Sequence, residues 1–99
     1  MVAAPAAVGP EHYDLCLYVT GMTPRSVRAI ENVRKFCKRH LDGRHTLRIF
    51  DLYQQPSLAR EEQLVAAPTL VKRLPLPERR LVGDLSNQER VLSGLGLPG

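Results

Sequence analysis

Apolar and polar positions alternate over residues 13–20, where Tyr13, Leu15, Leu17 and Val19 fall on one side of an extended chain. Cys16 and Tyr18 make the other side partly apolar, which suits a central strand with helices above and below it. The period then changes. Val27, Ile30, Val33, Cys37 and Leu41 recur at helical spacing and define a buried stripe. Thr23 stands ready as an N-cap with Pro24 at the first helical position, and Asp42-Gly43 stops the helix near Leu41. Alternation returns over 45–53, with Leu47 and Ile49 facing one way and Phe50 and Leu52 the other. Gln54-Gln55-Pro56 breaks that strand. Ser57 is placed to cap a second helix over 58–65.

Ala66-Ala67-Pro68 is the next break. Thr69–Leu74 and residues 79–84 read as two strands joined through Pro75-Leu76-Pro77-Glu78. The prolines forbid a helix there, and the link is short enough for a hairpin. Ser86-Asn87-Gln88-Glu89 has the capping-box pattern, with Ser86 and Glu89 as the reciprocal pair, ahead of Val91, Leu92 and Leu95. Gly94, Gly96 and Pro98 end that helix. The predicted order is βαβαββα, an α/β domain.

Length and charge narrow the picture further. The 99 residues make one domain, expected over 12–97 behind a disordered extension at 1–11. That extension has neither the basic start nor the apolar core of a signal peptide, and no apolar run approaches the roughly 20 residues of a membrane span. A cytoplasmic protein is expected. The formal charge is +4. The basic residues are scattered and stacking aromatics are few, so nucleic acid is not the expected partner. Arg34, Lys35, Lys38 and Arg39 fill the outer surface of the first helix near its C-terminus, where positive charge suits the helix dipole.

A strand, the loop Gly21-Met22-Thr23-Pro24-Arg25-Ser26 and a helix N-terminus resemble the place where thioredoxin-like proteins keep a reactive Cys-x-x-Cys. Ala67-Pro68-Thr69 resembles their other landmark, a proline before a strand, which makes Pro68 the expected cis proline. The frame is therefore thioredoxin-like, a mixed four-stranded sheet with helices on both faces. The loop holds no cysteine. Cys16 and Cys37 lie 21 positions apart with neither CxxC nor zinc spacing, and His12, His40 and His45 share no metal-ligand spacing. No cofactor, metal site or catalytic residue is expected. A thiol oxidoreductase is the competing enzyme reading, and it lacks the low-pKa cysteine at a helix N-terminus that it would need.

The segments LYVTGMTPRSVRAIENV, DLYQQPSLA, AAPTLVKRLPLPERRLVGDLS and NQERVLSGLGL resemble the KaiB family of cyanobacterial clock proteins. The resemblance runs from Tyr13 to about Leu97. It implies a small, non-catalytic, metamorphic protein with two folds that differ in the C-terminal half: a tetrameric ground-state form and a monomeric thioredoxin-like form. It also implies docking of the thioredoxin-like form on the ATPase ring of a KaiC-type kinase. Capture of KaiA there, and competition with the sensor domain of a SasA-like histidine kinase, are implied as well. By the same resemblance Arg28, Arg48 and Arg80, with Thr46 beside Arg48, are the partner-binding positions. Arginine suits carboxylates through bidentate contacts. Thr46 departs from the family residue, and Gln63 removes a charge.

The resemblance also marks where a switch would act. Pro68, Pro75 and Pro77 cluster in the half that would rearrange. Gly94-Leu95-Gly96 stands in place of a Gly-x-Asp that helps govern switching, and the chain ends at Gly99 where clock members continue into an acidic tail. These departures keep a diverged paralogue, acting in stress or histidine-kinase signalling, as the alternative. The alternating character of Thr69–Leu74 and the capping signal at Ser86 and Glu89 favour the thioredoxin-like form, expected as a monomer.

Overall fold

Strand β1, Tyr13–Val19, sits at the centre because both of its faces are apolar. The computed structural model describes residues 11–64 and 68–97, so the expected N-terminal extension lies almost wholly outside it. Helix α1, Pro24–His40, follows β1, then β2, His45–Asp51, and the short α2, Ser57–Glu61. Strands β3, Thr69–Leu74, and β4, Arg79–Val82, and helix α3, Gln88–Leu95, complete the order. The sheet runs β2-β1-β3-β4. β1 and β2 are parallel, from Tyr13 opposite His45 to Val19 opposite Asp51. The β1–β3 and β3–β4 pairs are antiparallel.

Helices cover both faces. Leu15, Leu17, Val19 and Leu70 meet Ala29, Val33, Phe36 and Cys37 of α1 and Val91 and Leu95 of α3. On the opposite face Cys16, Tyr18, Leu52 and Val71 pack with Phe50 and with Leu58, Ala59 and Leu64 of the α2 segment. Phe50 stacks on Tyr18 with ring centroids 5.3 Å apart. This is the expected thioredoxin-like architecture.

Thr23 caps α1 as expected, its Oγ1 accepting from the Ser26 amide at 3.2 Å, with Pro24 opening the helix. The buried stripe is turned from the one expected. Ser26, Ala29, Val33, Phe36 and Cys37 face the sheet, while Val27 and Ile30 are only half-buried. Small residues at Ser26 and Ala29 let the helix approach closely, and Phe36 fills the space beyond them.

The second half brings further corrections. Ser57 is the first residue of α2 and not its cap; Pro56 holds the N-cap position and offers no side-chain acceptor. The helix ends at Glu61, because Gln63 adopts a left-handed φ of 55° and the chain turns so that the Leu64 amide donates to the Ala59 carbonyl. The last residue of the expected helix, Val65, lies outside the described residues. β4 stops at Val82, two residues short of expectation.

The capping box is not formed. Asn87 is the N-cap of α3, its side chain accepting from the Arg90 amide at 3.1 Å. Asp84 Oδ1 takes the Ser86 amide instead, which places Ser86 one residue before the cap. Glu89 then lies in the first turn, where its charge suits the helix dipole. Gly94 is inside α3 and does not end it; Gly96, at φ 77°, is the left-handed C-cap. A Cβ on Gly94 would lie 2.3 Å from Leu81 Cδ2, so the glycine is what lets α3 lie against β4.

Pro68 is buried, and its preceding peptide bond, expected in cis, lies outside the described residues. Among the described residues the cis bonds are Leu74-Pro75 and Leu76-Pro77, in the hairpin. Among the described residues no helix is long and apolar enough to cross a membrane.

Candidate partner-binding surface

Thr46 and Arg48 project from one face of β2, an edge strand, opposite Asp14 and Cys16 of β1. The register puts a carboxylate beside the guanidinium. Arg48 Nη2 donates to both Asp14 oxygens, at 2.8 and 2.9 Å, and this hydrogen bonding raises the Arg48 pKa still further. Its side chain remains 54% exposed. Thr46 Oγ1 meets His12 Nε2 at 2.8 Å. Both residues are open to a partner.

Arg80 lies on β4 at the other edge. Its register to Val71, and that of Val71 to Cys16, places it on the same sheet face as Arg48. Three strand spacings separate the two, about 14 Å. Its contacts are weak: Nε is 3.9 Å from Glu78 and Nη1 is 3.4 Å from the Gln63 carbonyl. Arg28 belongs to α1, in the opposite layer, and its Nε is 3.7 Å from Asp84. The hydrogen bonds from Ser86, aided by Arg28 and Arg25, hold the Asp84 carboxyl below its usual pKa.

The four expected positions thus form two groups. Thr46 and Arg48 share the β2 edge. Arg28 and Arg80 both lie near β4 but on opposite faces: Arg28 faces Asp84, whereas the Arg80 guanidinium lies beside Glu78 and the Gln63 carbonyl. Of the switch candidates, Pro75 and Pro77 lie in the β3–β4 connection beside the exposed Leu74 and Leu76.

Two features escaped the sequence reading. Arg73 of β3 donates from Nη2 to the Tyr18 hydroxyl at 2.9 Å and to Glu62, and from Nη1 to Glu78 at 2.7 Å. Burial alone would lower the Arg73 pKa, but these three hydrogen bonds outweigh it and raise the value. The signal was Tyr18, a central-strand hydroxyl that needs a partner. Lys72 is buried with its ammonium 5.8 Å from the Tyr13 ring centre, and burial lowers its pKa.

The sulfur chemistry is subdued. Cys16 and Cys37 are both free and buried, and burial pushes the Cys37 thiol up to about 11. Neither lies at the start of α1, where Thr23 and Pro24 stand. No group of three or more His, Cys, Asp or Glu side chains among the described residues could hold a metal ion. What the surface offers is charge on a rigid sheet, suited to recognition.

Comparison with known proteins adds a family. The KaiB domain family matches residues 16–97. The circadian clock oscillator protein KaiB of Synechococcus elongatus is 47% identical over 85 residues, covering 86% of this chain and 83% of that protein. Its counterpart in Thermosynechococcus vestitus is also 47% identical over 85 residues, covering 86% and 79%. Among solved structures, the N-terminal domain of Synechococcus elongatus SasA matches with a TM-score of 0.72 and 25% identity, covering 97% of this chain and 93% of that one. Chloroplastic thioredoxin z matches at 0.70 with 14% identity, over 96% and 88%, a likeness of fold alone.

Proposed function

The chain belongs to the KaiB family, and from that premise we propose that it is a non-catalytic timing protein that docks on the ATPase ring of a KaiC-type kinase. The observation that carries this reading is the 47% identity to clock oscillator KaiB over 85 residues, joined to a thioredoxin-like fold. In the proposed mechanism Arg28, Arg48 and Arg80 anchor acidic groups of the ring, with Thr46 beside Arg48. Each arginine is exposed, and each already holds or approaches a carboxylate of its own chain. Docking therefore exchanges an internal carboxylate for one on the partner. Binding draws the population toward the thioredoxin-like form by its differential affinity, and so regulates the kinase phosphorylation cycle. Capture of KaiA and competition with a SasA-like kinase belong to the same reading, as does a monomeric docking form.

The test is co-elution with the host's own KaiC homologue. Wild-type protein is expected to co-elute, and Arg28→Glu or Arg48→Glu to weaken binding at least tenfold. Charge reversal at both positions with unchanged binding overturns the assignment of this surface. A second reading, an interaction module beside a histidine kinase, is favoured by the likeness to the SasA domain. Recovery of a kinase and not KaiC from the host's extract selects it.

A further inference from the structure

Beyond the end of β4 the chain turns through Gly83 and Asp84 into α3 and leaves a half-open cleft of about 470 Å³. Arg25 from the first turn of α1 and Arg90 from the first turn of α3 line it; Arg80 of β4 also borders it, but its guanidinium turns to Glu78 and the Gln63 carbonyl on the other sheet face. Asp84 is the one carboxylate on the lining. Its Oδ1 accepts the Ser86 amide and its Oδ2 faces Arg28, so it is already engaged. Arg25 and Arg90 are exposed and have no carboxylate within 4.0 Å among the described residues. With Asp84 balanced by Arg28, the Arg25 and Arg90 guanidiniums leave an excess of two positive charges. The remaining wall includes Leu81 and Val91.

We propose that this cleft is a binding site for small phosphomonoesters with an apolar body. A guanidinium offers several donors in a fixed fork, and two forks presented from different helices suit a tetrahedral oxyanion, which can accept from both sides. A phosphomonoester carries about −1.5 to −2 charges at pH 7, which balances the excess on the lining. The volume lies within the ~300–1,000 Å³ range of small-molecule sites and exceeds what a bare phosphate needs, so the Leu81 and Val91 wall is left to receive an organic group. The first turn of α3 borders the same space and adds its dipole. This inference does not depend on the kinase-ring reading, because Arg25 and Arg90 have no part in that surface.

The experiment is an NMR titration of the full chain with phenyl phosphate, inorganic phosphate and a tetraglutamate peptide at fixed ionic strength. Phenyl phosphate is expected to shift the amides of Gly83, Ser86 and Asn87 saturably, at least threefold more tightly than inorganic phosphate. Arg25→Ala and Arg90→Ala should each weaken it at least fivefold while leaving the remaining spectrum in place, since both side chains are exposed. Lowering the pH from 7.5 to 5.5 crosses the second phosphate ionisation near 6 and should weaken binding at least threefold. Shifts that spare these amides, or a double Arg25→Ala/Arg90→Ala variant that binds as well as wild type, overturn the site. Tighter binding by the tetraglutamate peptide than by phenyl phosphate overturns the ligand class in favour of an acidic protein segment.

Discussion

Replacing Arg73 with Met removes a side chain that ties the C-cap of α2, β1 and the β3–β4 hairpin together. The methionine keeps an apolar stem of similar length, so the change is mainly in hydrogen bonding. Three contacts are lost. The Glu62 pair has both side chains 26% exposed, and partial burial puts it at about 1 kcal/mol, above a surface pair and below a buried one. The Tyr18 hydroxyl loses a partner inside the fold, at about 1 kcal/mol. Glu78, 41% exposed, adds about 0.5 kcal/mol. The sum is about 2–3 kcal/mol, which for a domain of this size lowers Tm by about 10–20 °C. Urea unfolding followed by circular dichroism measures the loss. Arg73→Lys should recover only part of it, because one ammonium cannot reproduce the fork. A second readout is the titration of Tyr18. Burial raises its pKa above the ordinary 10.0, and Arg73 pulls in the opposite direction. Without Arg73 the ring should titrate at still higher pH. Because the folded pKa lies above the unfolded one, stability from this group is complete below about pH 10. It is lost as pH rises through the folded value. Stability of Arg73→Met within 0.5 kcal/mol of wild type, or an unmoved Tyr18 titration, would refute the clamp.

Gly94→Ala should destabilise by about 1 kcal/mol, since a helix-propensity gain of about 1 kcal/mol is outweighed by overpacking of about 1–3 kcal/mol against Leu81. In a Leu81→Ala background the same change should become stabilising, and a double-mutant cycle in urea showing no coupling would contradict the packing. Asn87→Ala should cost about 1 kcal/mol in thermal unfolding, and Ser86→Ala much less, because Asn87 and not Ser86 caps α3; equal losses would restore the capping box.

The first half of the fold was legible because its signals are local. Tyr13 to Val19 alternate with apolar residues on both sides, and Thr23-Pro24 and Gly43 bracket a helix without help from elsewhere. The stripe of α1 was misplaced because a periodicity search rewards large aliphatics such as Val27 and Ile30. The helix instead buries Ser26 and Ala29, whose value is their small size. The cap of α3 was misread by one residue because the Asp84 side chain, and not the Ser-x-x-Glu pattern, decides where the Ser86 amide goes. The left-handed turn at Gln63 that shortens α2 has no local signature. At the site, Arg28, Thr46, Arg48 and Arg80 came from family resemblance, and no periodicity marks them. Their partners depend on register: Asp14 and Arg48 are 34 positions apart in sequence and meet only because β1 and β2 pair as they do.

The same partners make the three proposed arginine anchors unequal. Arg48 is held by two contacts under 3 Å, both to one carboxylate, and a competing acid must displace both. Arg28 faces Asp84 at 3.7 Å, and Asp84 has a second commitment to Ser86, so Arg28 can leave while the turn before α3 keeps its shape. Arg80 is looser still, with Glu78 at 3.9 Å. Arg28 and Arg80 therefore have only long ion pairs to give up to an acidic surface, whereas the β2 edge must first open a close, two-contact pair. Beside Arg28 the two halves of the chain are joined: Asn32 of α1 donates to the Asp84 carbonyl at 2.8 Å. A partner that takes Arg28 touches the seam between the part of the fold that is locally specified and the part that depends on Arg73, Asp84 and Gly94. In the proposed docking, contact at Arg28 is coupled through Asp84 to the arrangement of β4 and α3.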